Sequence, residues 1–414
     1  MKNKKKAVSQ ANPRPELELL PLKPGVRATG PTRMPMLLRV KIPPVQAEVE
    51  RPPLNLAFVL DRSGSMAGDK LKFAKKAVAY AVENLRPHDR VAVVIYDHQV
   101  EVVVPSTLAE NKEEILRRLR PVRPRGSTNL HAGWLEGSTQ VAAHLDAKRL
   151  NRVIVLSDGL ANTGETNPNV IAEQVRGLSQ RGVSTSTLGV GLDYNEDLMM
   201  AMAEAGQGNY YFIESPDDLP GIFAQELSGL ATTLGTGVRL WLTPPHGGEI
   251  RLLHDLARED GGVYRLPPLV GGRTLEYLLE VEAPGGETWV GVRLAWESLG
   301  GGVHQEEASL HLPALEDEVY QGLDSLPEVE AAMAKLKATW ARQQAMEALY
   351  RGDFHTARSS LSATLPVLAP YQQLLETEGE ELEALLEELD RSPARARKLL
   401  SSQVYRNRQG RKDS

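Results

Sequence analysis

The stretch "LNLAFVLDRSGSM", residues 54–66, ends an apolar run abruptly at an acid and sets Asp61, Ser63 and Ser65 on alternate positions. An apolar run without polar alternation fits a strand covered on both faces, as in a parallel sheet. Its last residue, Asp61, then falls at the carboxyl end of that strand. This is the edge where open α/β sheets bind ligands, because the loops diverge there and helix N-termini point into the crevice. Arg62 and Gly64, between Asp61, Ser63 and Ser65, are expected to face away and allow the bend.

Working outward, residues 54–230 keep alternating apolar runs with amphipathic stretches. "VAVVIY", "VIVL", "VSTSTLGV" and "NYYFI" read as further strands. Between the first two lies "DKLKFAKKAVAYAVENL", with Leu71, Ala74, Val78, Ala81, Val82 and Leu85 on one helical face and Asp69 as the expected N-cap. "DHQVEVVVP" directly after a strand predicts a hairpin and an antiparallel edge. Further helices are expected over 111–120, 130–146, 168–181, 195–205 and 216–230.

The flanking segments follow period two. Leu275, Tyr277, Leu279 and Val281 share one face of "RTLEYLLEVEA", against Glu276, Glu280 and Glu282. "VGVRLAWE" and the N-terminal "MLLRVKI" alternate in the same way, which predicts antiparallel sheet with one solvated face. Two lone N-terminal strands are not stable by themselves, so residues 16–50 are expected to pair with later strands. The fold class is therefore α/β: a doubly wound, mostly parallel, Rossmann-like sheet inserted in an antiparallel β-sandwich and followed by a C-terminal helical region. The expected divisions are a disordered start (1–15), N-terminal sandwich strands (16–50), the α/β domain (53–230), the rest of the sandwich (235–314), a helical region (316–404) and a basic tail (405–414).

Composition narrows the function. A 414-residue chain with 41% apolar and 25% charged residues is ordinary for a globular protein. A net charge of −6 argues against a surface devoted to nucleic acid. With no cysteine, disulfides, thiolate nucleophiles and cysteine-ligated metals are excluded. The basic start "MKNKKKAVSQ" has no apolar segment behind it, and no run approaches the roughly 20 apolar residues of a membrane helix. The expected location is the cytoplasm, with no membrane partner.

Two other segments are expected at the same sheet edge as Asp61. "GSTNL" offers Thr128 in a loop, and "VIVLSDG" ends a strand at Asp158 as the opening stretch ends one at Asp61. The D-x-S-x-S at 61–65, Thr128 and the "SDG" at 157–159 together resemble the metal-ion-dependent adhesion site of von Willebrand factor type A domains. The resemblance spans about residues 53–230 and is of the bacterial cytosolic type; the layout is less closely similar to the inter-alpha-trypsin inhibitor heavy chains. It implies that Asp61, Ser63, Ser65, Thr128 and Asp158 hold a divalent cation, Mg2+ or alternatively Mn2+. It also implies a protein partner that presents an Asp or Glu carboxylate to the metal. Elementary coordination chemistry agrees: Mg2+ takes hard oxygen ligands, and neutral hydroxyls leave it electrophilic.

The expected function is thus a non-enzymatic, Mg2+-dependent protein-interaction module. A metal-dependent hydrolase using the same site is the enzymatic alternative; a separate reading of Ser63 as a nucleophile, with His131 imagined as base, lacks the G-x-S-x-G elbow. An aspartyl-phosphatase reading of Asp61 fails because Ser63 stands where the second acid belongs. A third alternative is a scaffold that binds through its C-terminal helices. Asp193, Asn195 and Glu196 either border the crevice or, as the preferred reading has it, cap the following helix. Met199, Met200 and Met202 are expected in the core.

Overall fold

The structure, a computed structural model, describes residues 14–44, 51–298, 301–375 and 377–410. Most of the expected disordered start, residues 45–50 of the expected N-terminal sandwich segment and the last four residues lie outside them. The chain begins with β1 (Glu16–Pro21) and β2 (Thr32–Lys41), an antiparallel pair in register Glu16↔Lys41 to Pro21↔Met36.

The central unit follows: β3 (Leu54–Asp61), α1 (Asp69–Asn84), β4 (Arg90–Tyr96), β5 (Val100–Leu108), α2 (Lys112–Leu119) and α3 (Leu130–Ala142). It continues with β6 (Leu150–Ser157), α4 (Pro168–Ser179), β7 (Val183–Val190), α5 (Glu196–Ala205), β8 (Gln207–Ile213) and α6 (Leu219–Ala231). The strands form one sheet in the order β5-β4-β3-β6-β7-β8. All pairs are parallel except β4 with β5, the hairpin that makes the antiparallel edge. Every residue of β3 and of β6 is buried, which is why both read as continuous apolar runs. α1 starts one residue earlier than the sequence suggests: Gly68 takes the N-cap position and Asp69 is the first helical residue, paired with Lys72 at 3.1 Å.

Beyond α6 come β9 (Thr233–Thr243), β10 (Glu249–Leu252), β11 (Thr274–Ala283), β12 (Thr288–Ser298) and β13 (Val303–Leu312). β11 pairs with β2 along its whole length, from Thr274↔Lys41 to Ala283↔Thr32, so strands on either side of the central unit join one sheet, ordered β1-β2-β11-β10. β9, β12 and β13 belong to a second antiparallel sheet. Met36, Leu38, Leu275 and Tyr277 of the first sheet and Leu240, Val292 and Leu294 of the second are buried in one cluster.

The other face of the first sheet departs from the expected alternation. Leu37 and Leu278 point away from that cluster, yet each is 1% exposed, because α7 (Pro327–Tyr350) covers them with Val329 and Leu336. The helices α8 (Phe354–Ser362), α9 (Glu378–Arg391) and α10 (Pro393–Arg408) complete the chain. Here the basic tail expected from 405 onward is corrected. α10 runs to Arg408, Val404 and Tyr405 are buried, and Tyr405 donates to Gly208 O at 2.7 Å. Its charges are used internally: Arg406 pairs with Glu381 and Arg408 with Glu204. Among the described residues no helix is long and apolar enough to cross a membrane.

Candidate functional site

The strand order reverses between β3 and β6: the chain leaves β3 toward β4 on one side and leaves β6 toward β7 on the other. Loops after two such neighbouring strands part company, and the crevice between them is where this topology holds ligands. Asp61 is the last residue of β3 and Asp158 follows the last residue of β6, so the reversal brings two carboxylates to one point. Both are fully buried.

Hydrogen bonds fix the constellation. Ser63 N donates to Asp61 Oδ1 at 2.7 Å, the Asx turn that bends the chain out of the sheet. Ser157 Oγ donates to Asp61 Oδ2 at 2.6 Å. Ser63 Oγ and Ser65 Oγ lie 3.0 Å apart, and Ser65 Oγ donates to Asp158 Oδ1 at 2.7 Å. Lys70, in the first turn of α1, donates to Asp158 Oδ2 at 2.6 Å. Burial pushes the Asp61 carboxyl up to about 6; the Ser157 and Ser63 hydrogen bonds pull it down, and the charge of Asp158 adds to the rise.

The third segment is tied on by its backbone. Gly64 N donates to Gly126 O at 3.1 Å and Arg125 N to Arg62 O at 2.7 Å. Gly126 has φ 74° and packs so closely that a Cβ there would lie 2.4 Å from His98 Nδ1, so only glycine fits this approach. Thr128 is buried, with its N–H on Asn162 Oδ1 at 3.0 Å. A Cβ added to Gly159 would lie 3.3 Å from Ser65 Oγ and 3.5 Å from Thr128 Oγ1, so hydroxyls from both loops flank the turn after Asp158. Asp61, Ser63, Ser65, Thr128 and Asp158 are therefore brought together at one sheet edge.

The remaining sequence expectations divide. Arg62 is buried, with Nε on Asp97 Oδ2 at 2.8 Å and Nη1 3.1 Å from Glu101 Oε2. His131 contacts Gln174 Oε1 at 2.7 Å, while the Ser63 hydroxyl lies 3.0 Å from Ser65 Oγ and also bonds the Asp61 carboxyl. Asn195 caps α5, accepting from Leu198 N, and Glu196 is buried against Lys398 of α10. Met199, Met200 and Met202 are core. Three further residues adjoin the site: Ser157 (the first of the "SDG"), Lys70 and Asp97. Asp97 was findable, since it follows a strand end as Asp158 does.

Among the described residues no group of three or more His, Asp or Glu side chains is disposed to hold a metal. The candidate here instead joins two carboxylates to three hydroxyls, all oxygen donors, which suits a hard cation such as Mg2+. Two buried carboxylates share one lysine ammonium, which pairs with Asp158, and a divalent cation would neutralise the remaining charge.

Residues 55–225 match the family model of the von Willebrand factor type A domain. The uncharacterized protein YfbK of Escherichia coli (strain K12) is 31% identical over 192 residues, covering 46% of this chain and 33% of that protein. Inter-alpha-trypsin inhibitor heavy chain H3 of Homo sapiens is 32% identical over 201 residues, covering 45% of this chain and 22% of that protein. The chain thus spans a third or less of the length of either curated relative. Among solved structures, von Willebrand factor type A from Catenulispora acidiphila shares the fold with a TM-score of 0.71 at 19% identity, over 91% of this chain and 90% of that one.

Proposed function

Residues 55–225 form a von Willebrand factor type A domain, and from that premise we propose that the protein is a non-enzymatic, Mg2+-dependent protein-interaction module. Domains of this type generally mediate protein–protein interaction, often with a metal. In this reading Asp61, Ser63, Ser65, Thr128 and Asp158 make a complete metal-ion-dependent adhesion site. When bound, Mg2+, or Mn2+ in its place, supplies an electrophilic centre that accepts an Asp or Glu carboxylate of the partner. The observation that carries the reading is the meeting of two buried carboxylates and three hydroxyls from separate loops at the point where the strand order reverses.

The chain's own residues do the rest. Ser157 and the Ser63 N–H orient Asp61, Ser65 orients Asp158, and Gly126 lets the Thr128 loop close on Gly64. The bacterial cytosolic type, the cytoplasmic location and the insertion of the domain into one β-sandwich belong to the same proposal; cell fractionation tests the location. The test of function is affinity capture on the immobilised full chain in Mg2+, followed by elution with a chelator. A partner released by chelator, and not captured by Asp61→Ala, is expected. Equal recovery with and without Mg2+ would overturn the proposal.

A further inference from the structure

Next to the candidate cation site runs a surface of uncompensated positive charge. Lys75 Nζ of α1 donates to Arg120 O at 3.1 Å and Val122 O at 3.2 Å, and the segment 120–125 in turn reaches the Ser63–Ser65 loop through Arg125 N on Arg62 O. The surface is therefore continuous from α1 to the site. Lys76, Arg120 and Arg123 are exposed, and among the described residues none of these, nor Lys75, pairs with a carboxylate. Arg125 shares one oxygen, Asp97 Oδ2, with Arg62 and keeps half of its side chain in solvent. Burial and the neighbouring Arg123 guanidinium both lower the pKa of Lys75, a sign of cations crowded without counter-charge. Elsewhere surface arginines find acids, as Arg33 does with Glu280 and Arg391 with Glu387, and the chain as a whole carries −6.

We propose that this surface docks an acidic segment of the partner protein, one carboxylate at the cation site and flanking Asp or Glu residues on Arg125, Arg123 and Lys76. The central carboxylate rests on the function proposed above; the flanking contacts do not. A protein segment is favoured over nucleic acid on two counts. The net charge of −6 repels a long polyanion. The ring that lies among these cations, Phe73, is engaged by Lys72 and Lys76 at 5.5 and 4.6 Å instead of offering a bare stacking platform.

The test measures fluorescence anisotropy of two labelled peptides on the full chain in Mg2+, one with a central Asp among Glu residues and one with the same Asp among Ser and Gly. The Glu-flanked peptide is expected to bind about tenfold tighter, with the advantage shrinking as salt is raised. The double variant Lys76→Ser/Arg123→Ser should lose that advantage while its Mg2+ titration and melting temperature stay those of the wild type, which shows that it folds. Equal affinity of the two peptides overturns the docking proposal and leaves the metal reading standing. A Glu-flanked peptide that binds equally in chelator, but not to the double variant, sustains the docking surface and removes the metal. Single-stranded RNA that binds more tightly than either peptide and is lost in the double variant overturns the proposal in favour of nucleic acid.

Discussion

At Asp61 a carboxylate is held out of water with the Ser157 and Ser63 hydroxyls and the Ser63 N–H as hydrogen-bond partners, and the charge of a second buried carboxylate, Asp158, acts on it. Burying a charge without a counter-ion is costly, and in the function proposed above a bound divalent cation offsets that cost. Asp61→Asn is therefore expected to melt no lower than the wild type in chelator, while excess Mg2+ raises the melting point of the wild type alone; saturation to about a hundred times Kd corresponds to about 2.7 kcal/mol. Lys70→Met removes the ammonium from Asp158. Differential scanning fluorimetry in chelator should show a loss of about 1–3 kcal/mol, and calorimetry a several-fold gain in Mg2+ affinity, since a competing positive charge is gone. Asp61, Ser63, Ser65 and Asp158 were legible because a strand end is written in the sequence as an apolar run meeting an acid. Ser157 and Lys70 were not, since their roles depend on which oxygen of which carboxylate they face after packing.

Between elements, the decisive joint is α10 against α5. Lys398, fully buried, donates to Glu196 and to Tyr194 O, and Tyr350 OH of α7 donates to Glu196 at 3.0 Å. Burial alone would raise the Glu196 carboxyl, but Lys398 holds it below its ordinary value. Lys398→Met leaves buried Glu196 with Arg397 as its remaining cationic partner and should cost about 1–3 kcal/mol in urea unfolding; adding Glu196→Met should recover part of it. His254 gives a pH handle on the contact between α7 and the first β-sheet. Its Nδ1 accepts from Leu278 N at 3.3 Å, and burial with the Lys335 ammonium brings its pKa down to about 4. The unfolded chain binds the proton at about pH 6.5, so between these values the folded state holds fewer protons. Stability is therefore full above 6.5 and falls as pH drops toward 4. Denaturation at the two ends of that window should show a loss about 1–3 kcal/mol larger for the wild type than for His254→Leu. The periodicity of these elements was readable, but only Leu37 and Leu278, apolar residues at nominally solvated positions, hinted locally that a helix covers that sheet face. Arg406 and Arg408 made the end of α10 look like a basic tail because the acids that pair with them, Glu381 and Glu204, lie on other helices.

For the molecule as a whole, the C-terminal helices are structural partners of both other parts. Leu385, Leu400 and Tyr405 are buried in the same cluster as Trp134, Met199 and Met202 of the central unit, while Val329 and Leu336 cover Leu37 and Leu278. Removing residues after 322 would strip all of these at once, and such a truncation is expected to aggregate or melt well below the full chain. Contributions of the helices to partner capture are better read from exposed substitutions on the full chain. The central claim is the cation site, and calorimetric titration of Mg2+ into the full wild-type chain and into Asp61→Ala addresses it most directly. One saturable site in the wild type, absent from a variant that still unfolds cooperatively, is the expected result. No heat of binding in the folded wild type, or the same isotherm in both proteins, would contradict it.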